Sequence, residues 1–292
     1  MRRRNILLTV VLVAVLVSSL FFAVETIVPP QPSTQAPEFY VGIQCGYGNV
    51  TLNKILIDRV KNYTNLFIIG ATDIVKNATL LNEVADYAYA AGLHFSVYFS
   101  IAQTYGELGE NITMQYTDPN GTVVQFTGYR SPLPTGWLKN ATAKYGEYFL
   151  GAYVFDEPGG NQLDGGIQRV VNVNYNTQTD YATTANAFFG NVSSKIEGYR
   201  NTTVMTFTSD YGLYWFDYTA GYDAVLAQFG GSSSSRQLQV SLSRGAADVQ
   251  SKDWGIMVTH KSRQVQVMES GPELYDDLVF RLRIRSRVCC SI

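Results

Sequence analysis

Seven short apolar runs, each rich in β-branched and aromatic residues, constrain this chain more than anything else in it. They fall at residues 39–43, 66–70, 94–100, 150–155, 204–208, 224–229 and 254–259. The second reads Leu66-Phe67-Ile68-Ile69-Gly70, apolar almost without a break. Helical patterns lie between them at 52–60, 80–91, 141–149, 181–199 and 237–250, and Gly92 stops the second of these. Strands that are apolar on both faces need cover on both, which helical crossovers in a parallel sheet supply. Seven such units in one domain predict an α/β fold, a (β/α)8-type TIM barrel rather than an open sheet. No G-x-G-x-x-G follows the first strand, so a dinucleotide-binding Rossmann domain loses support.

Two stretches break the rhythm. Residues 101–137 hold Asp118-Pro119-Asn120-Gly121, a strong turn signal, and the flanking residues predict an inserted hairpin after the third strand. Near the end, Ser270-Gly271-Pro272-Glu273 opens a helix. An eighth strand should follow, but residues 281–287 carry four of the fourteen arginines and lead to Cys289-Cys290. The abrupt change points to a truncated or frame-shifted end that leaves the barrel incomplete, with seven strands. A genuine basic tail over 281–292 is the alternative.

The N-terminus reads Arg2-Arg3-Arg4-Asn5 and then an uncharged apolar run over residues 6–24. That length spans a bilayer, which takes roughly 17–25 residues. The arginines before it predict a cytoplasmic N-terminus and an exported remainder. A cleaved signal peptide is the rival reading, although its apolar core is usually shorter. Both export the domain. Four prolines within residues 29–37 predict a semi-rigid spacer. The domain reading is therefore a tip and anchor over 1–28, a linker over 29–37, a barrel over 38–280 and the basic tail. Asn-x-Ser/Thr sequons at Asn49, Asn62, Asn77, Asn111, Asn120, Asn140, Asn191 and Asn201 exceed what composition supplies and suit an exported glycoprotein.

Composition narrows the chemistry by exclusion. With 22 Lys+Arg against 24 Asp+Glu, the chain lacks the basic excess of a nucleic-acid binder. Three cysteines without a C-x-x-C pair give neither a disulfide framework nor a zinc ribbon, and two histidines give no His-rich metal site. No cofactor and no metal are expected.

Barrel enzymes carry their chemistry at the C-terminal strand ends. There this sequence places Gln44 and Tyr47, Asp73, Tyr98, Asp156 and Glu157, Asp210 and Tyr211, Gln228, and His260. Hydrogen-bonding groups beside aromatic faces suit a sugar. The sharpest element is Tyr153-Val154-Phe155-Asp156-Glu157-Pro158, because two acids after an apolar strand are costly unless solvated or paired. A carboxyl beside aromatic rings can act as a general acid. Glu157 is the candidate acid and Asp156 its partner. A strand-ending turn with merely solvated acids is the rival reading. Trp215, with Tyr211, Tyr214 and Phe216, could stack on a sugar or simply pack a helix onto the barrel. His260 reads more readily as structural than catalytic.

The barrel rhythm with Gly151-Ala152-Tyr153-Val154-Phe155-Asp156-Glu157-Pro158 at strand four resembles the glycoside-hydrolase-type TIM barrels. Those often carry an Asn-Glu or Asp-Glu pair there, with Glu as acid/base. The stretches Tyr40-Val41-Gly42-Ile43-Gln44-Cys45-Gly46-Tyr47-Gly48 and Ser209-Asp210-Tyr211-Gly212-Leu213-Tyr214-Trp215 also resemble uncharacterised membrane-anchored archaeal surface proteins, which implies no activity. The retaining enzymes of the first type place a nucleophilic Glu at the end of strand seven, where this chain reads Thr259-His260-Lys261. Asp210 is the other available carboxylate, and a Glu157/Asp210 pair would suit an inverting mechanism if separated by about 6.5–9.5 Å. The expectation is a single-pass, membrane-anchored extracellular barrel that hydrolyses or binds a polysaccharide. The alternative is a non-catalytic surface glycoprotein on the same scaffold.

Overall fold

The computed structural model describes residues 39–99, 110–117, 123–130, 135–164, 170–171, 180–200, 202, 204–229, 233–259, 271–284 and 288–291. The expected anchor, the proline-rich linker, the turn at 118–121, His260, Asn120 and Asn201 lie outside them. Among the described residues no helix is long and apolar enough to cross a membrane.

In chain order the elements are β1 (Tyr40–Cys45), α1 (Val50–Val60), β2 (Leu66–Ile69), α2 (Thr72–Val75), α3 (Ala78–Ala90) and β3 (His94–Phe99). The hairpin β4 (Glu110–Thr117) and β5 (Val123–Arg130) follows, antiparallel and separate from the main sheet, as the break in rhythm predicted. Then come α4 (Thr135–Tyr145), β6 (Phe149–Val154), α5 (Pro158–Asp164), α6 (Tyr181–Arg200), β7 (Thr206–Asp210), α7 (Tyr214–Ala220) and β8 (Ala224–Phe229). The chain continues through α8 (Arg236–Gln250), β9 (Asp253–Val258), α9 (Gly271–Ile284) and β10 (Val288–Ser291).

Parallel strands close a barrel in the order β1, β2, β3, β6, β7, β8, β9, β10, and β10 returns to β1. Seven of these strands are the ones expected, within two residues. The expectation of an incomplete barrel is corrected by the eighth. Strand β10 pairs with β9 on one side, Val288 opposite Gly255, and with β1 on the other, Tyr40 opposite Val288. It lies within the stretch set aside as an atypical tail. Short β-prone sequence after an arginine run hid it from a reading built on apolar continuity. Helix α9, which delivers it, is held to α8 by the Arg236–Asp277 ion pair at 2.7 Å.

Alternation along the strands sorts side chains between two layers. Leu66, Ile68, Tyr153, Phe207, Leu226 and Met257 fill the barrel interior. Their neighbours Phe67, Ile69, Val97, Val225 and Ile256 face outward onto helix residues such as Ile57, Leu81, Val84, Ile196 and Ala247. Both faces are buried, which explains the continuous apolar runs. The helices start on local signals. Asn49 Oδ1 accepts from Leu52 N at 3.0 Å to cap α1, and Asn77 caps α3 in the same way. Where β3 meets β6 the register shifts, and β6 there carries Gly151 at φ +134°. A Cβ at Gly151 would lie 2.1 Å from the Met205 carbonyl oxygen, so only glycine lets β6 approach the segment leading into β7.

Candidate active site

The inner layer ends, at the C-terminal mouth, in polar groups. Gln44 follows Tyr40 on the inner face of β1, Tyr98 that of β3, Ser209 follows Phe207 on β7, Gln228 follows Leu226 on β8, and Thr259 follows Met257 after β9. Period-two alternation alone converts an apolar interior into a hydrogen-bonding floor at this level.

Strand β6 delivers the two acids by a strained turn. Phe155 has φ +55° and Glu157 φ +52°, both left-handed, on either side of Asp156. For a phenylalanine and a glutamate this geometry costs on the order of 1–3 kcal/mol each, a cost that clusters at functional sites. The neighbouring strand holds it: Glu157 N donates to the Ser209 carbonyl at 3.0 Å, and Thr208 Oγ1 donates to the Phe155 carbonyl at 2.7 Å. Both acids remain partly exposed in an otherwise buried segment.

Buried polar atoms join the two carboxyls. Tyr153 Oη, fully buried, donates to Asp156 Oδ1 and lies 2.7 Å from Ser209 Oγ. Ser209 Oγ lies 3.0 Å from Asp156 Oδ1 and 2.9 Å from Gln228 Oε1. The Gln228 amide reaches Glu157 Oε1 at 2.5 Å. Burial raises the Asp156 carboxyl, against the Tyr153 and Ser209 bonds that favour its anion. Burial first, and the charge of Asp156 second, push Glu157 up to about 7. Tyr98 is pushed up by burial and by the same two acids, and its ring lies 4.8 Å from that of Tyr153.

Among the described residues, Asp156 Oδ2, Glu157 Oε2 and Tyr98 Oη make no hydrogen bond within the protein, and Gln44 Oε1 and Thr259 Oγ1 are buried without a partner. Acceptors and donors converge here with capacity for a ligand that offers both.

Asp210 is placed differently. It is fully buried, and its carboxylate accepts backbone N–H groups from Gly159 at 2.5 Å, Gly160 at 2.9 Å, Tyr211 at 2.7 Å and Gly212 at 3.0 Å. It therefore caps α5 and ties the β7 loop to it, which fixes the turn carrying Glu157. Beneath it Asp217 is fully buried, held neutral by desolvation and by the charge of Asp210.

The remaining candidates scatter. Tyr47 is 88% exposed in the loop after β1, and Asp73 is exposed in the first turn of α2. Tyr211 rests its ring on Gly160, where a Cβ would stand 2.3 Å from Cε1. Trp215 lines an apolar groove of about 340 Å³ between α7 and α8, with Leu242 and Ala246, and no site carboxyl lines that groove. The sequons at Asn49, Asn62, Asn77, Asn140 and Asn191 are exposed, and Asn111 lies in β4. Among the described residues no group of three or more His, Cys, Asp or Glu could hold a metal ion. Sequence reasoning reads Ser209 and Thr259 only as polar strand ends and Tyr153 only as part of the strand before the acids, and gives none of the three a role in the site. Each reads as ordinary strand material, and only its parity with an inward neighbour marks it.

No protein-family model matches the chain, and no curated protein matches it in sequence. Among solved structures it is similar to a psychrophilic glycoside hydrolase family 10 endo-β-1,4-xylanase, at 12% identity and TM-score 0.46, covering 87% of this chain and 86% of that one. A glycoside hydrolase family 5 enzyme from Prevotella bryantii gives 11% identity and TM-score 0.45, over 87% of this chain and 88% of that one. 3-Keto-L-gulonate-6-phosphate decarboxylase from Vibrio cholerae gives 9% and 0.43, over 87% and 88%. The fold rests on the strand order itself.

Proposed function

We propose that this chain is a glycoside-hydrolase-like barrel acting on a polysaccharide outside the cell, with Glu157 as general acid and Asp156 as its partner. The apolar run at 6–24 behind three arginines supports a membrane anchor, and the exposed sequons support an exported, glycosylated surface. The observation that carries the proposal is Glu157 itself: partly exposed at the mouth, with a carboxyl pushed up to about 7. A general acid works best with its pKa near the operating pH. Around it, Gln44, Tyr98 and Thr259 offer unused polar atoms to sugar hydroxyls.

The binding-only reading has one observation in its favour. Asp210, the expected second carboxylate, has its oxygens taken up by four backbone amides. We assign it a positioning role. Hydrolysis of a broad glycan panel by the wild-type protein, beside Glu157→Gln, separates the two readings. Hydrolysis reduced by about 10²-fold or more in the mutant is the expected result. Glycan binding without turnover in either protein would move the assignment to a carbohydrate-binding surface protein.

A further inference from the structure

The contacts between Asp156 and Glu157 form an unbroken path: Asp156, Ser209, Gln228, Glu157, with Tyr153 as a side donor to Asp156. Counting protons along it gives two complete arrangements. In one, Glu157 is ionised. Gln228 presents its N–H to Glu157 and its carbonyl to Ser209, so the Ser209 proton points at Gln228; Asp156, left with Tyr153 as its only donor, keeps the carboxyl proton on Oδ2. In the other, Asp156 has released its own proton to solvent at the mouth and Glu157 has taken one up, which it donates to the Gln228 carbonyl. The amide is then turned by half a rotation, its N–H faces Ser209 Oγ, and the Ser209 proton is released to Asp156, which now has two donors.

Both arrangements use the same heavy-atom positions and leave no member of the path unsatisfied. Ser209 is fully buried and Gln228 is 9% exposed, so water does not substitute along the path. We infer that Ser209 and Gln228 are positioning residues that make the two carboxyls hold one proton between them, a proton on Glu157 fixing the anion on Asp156. The other ionisable groups facing Glu157 are Asp210, Asp164 and Tyr211, and Tyr98 faces both carboxyls; none is a cation.

The functional consequence rests on the acid role proposed for Glu157, but the coupling is read without substrate. The test is carboxyl titration by NMR of the folded full chain labelled with 13C at Glu and Asp side chains, with Glu157→Gln and Asp156→Asn spectra assigning the two signals. Ser209→Ala removes a donor from Asp156. Asp156 then holds its proton to higher pH, its charge on Glu157 weakens, and the Glu157 midpoint falls. Gln228→Leu removes the N–H that favours the Glu157 anion and leaves the Ser209 proton to Asp156. The Glu157 midpoint then rises and that of Asp156 falls. Opposite shifts of roughly half a pH unit or more are expected. Shifts of the same sign, as simple loosening of the site would give, or none in the folded variants, overturn the relay. If Ser209→Ala does not fold, Gln228→Met reads the same rise. Opposite shifts in a protein that hydrolyses no glycan would retain the relay and remove the glycosidase reading; hydrolysis with shifts of one sign would do the reverse.

Discussion

Glu157 combines a left-handed backbone with a carboxyl drawn out of water, and both features oppose folding. Its folded pKa lies above its unfolded one, so the penalty is absent at low pH and grows as pH rises from the ordinary carboxylate range to about 7. Glu157→Gln, which on the proposed acid role lowers hydrolysis by about 10²-fold or more, is therefore expected to stabilise the fold at pH 8, on the order of 1 kcal/mol after screening by its partial exposure. Urea unfolding at pH 4 and pH 8 checks it, with the gain confined to the higher pH. On the acid role proposed for Glu157, wild-type hydrolysis should fall as pH rises through about 7, when that carboxyl loses its proton. Asp217 follows the same sign. Buried and neutral, it lowers stability as pH rises above the range in which an unfolded aspartate ionises. Asp217→Asn, which keeps a donor toward Asp210, should stabilise the protein by more than about 1 kcal/mol at pH 7 and little at pH 3, measured in the same way. The two acids of the site were legible in the sequence because carboxylates directly after an apolar strand are chemically conspicuous. Tyr153 and Ser209 were not, since a tyrosine and a serine within strands have many structural uses.

At the scale of elements, the strands revealed themselves through burial on two faces and the long helices through their periodic apolar positions. The short helices α2, α5 and α7 left no such trace. The first turn of α5 is fixed by a tertiary partner, Asp210, some fifty residues away. Asp210→Asn should loosen α5 and the turn before it, costing about 1–3 kcal/mol, because it withdraws a charged acceptor from four buried amides. Faster amide exchange at Gly159 and Gly160 is the expected readout. Asn49, by contrast, is a local device. Asn49→Ala should cost about 1 kcal/mol through loss of the α1 cap, read by thermal unfolding, whereas Thr51→Ala, which removes the same sequon, should leave the cap intact.

For the whole molecule, the decisive contact is the one that closes the barrel. Strand β10 joins β9 to β1, four residue pairs on each side. Removing residues 285–292 would leave two long parallel edges facing each other across a gap, and exposed edges recruit other chains. The expected outcome is a broadened, less cooperative thermal transition with aggregation on size-exclusion chromatography; a sharp monomeric transition at the wild-type temperature would show that closure contributes little. The barrel was legible from the count of β/α units, but its completeness was not. The closing strand is short, and its sequence context carries charge where the other strands carry apolar runs.

Closure by neighbours that stand so far apart in sequence also sets a timetable for synthesis. Strand β1 leaves the ribosome, or the export channel, long before β10 exists to pair with it. At about 5–20 residues per second the wait is on the order of tens of seconds. Through that interval the nascent barrel is an open, curved sheet with both edge strands unsatisfied on one side. Its safe passage depends on chaperones or on the rate of delivery more than on the stability of the finished protein.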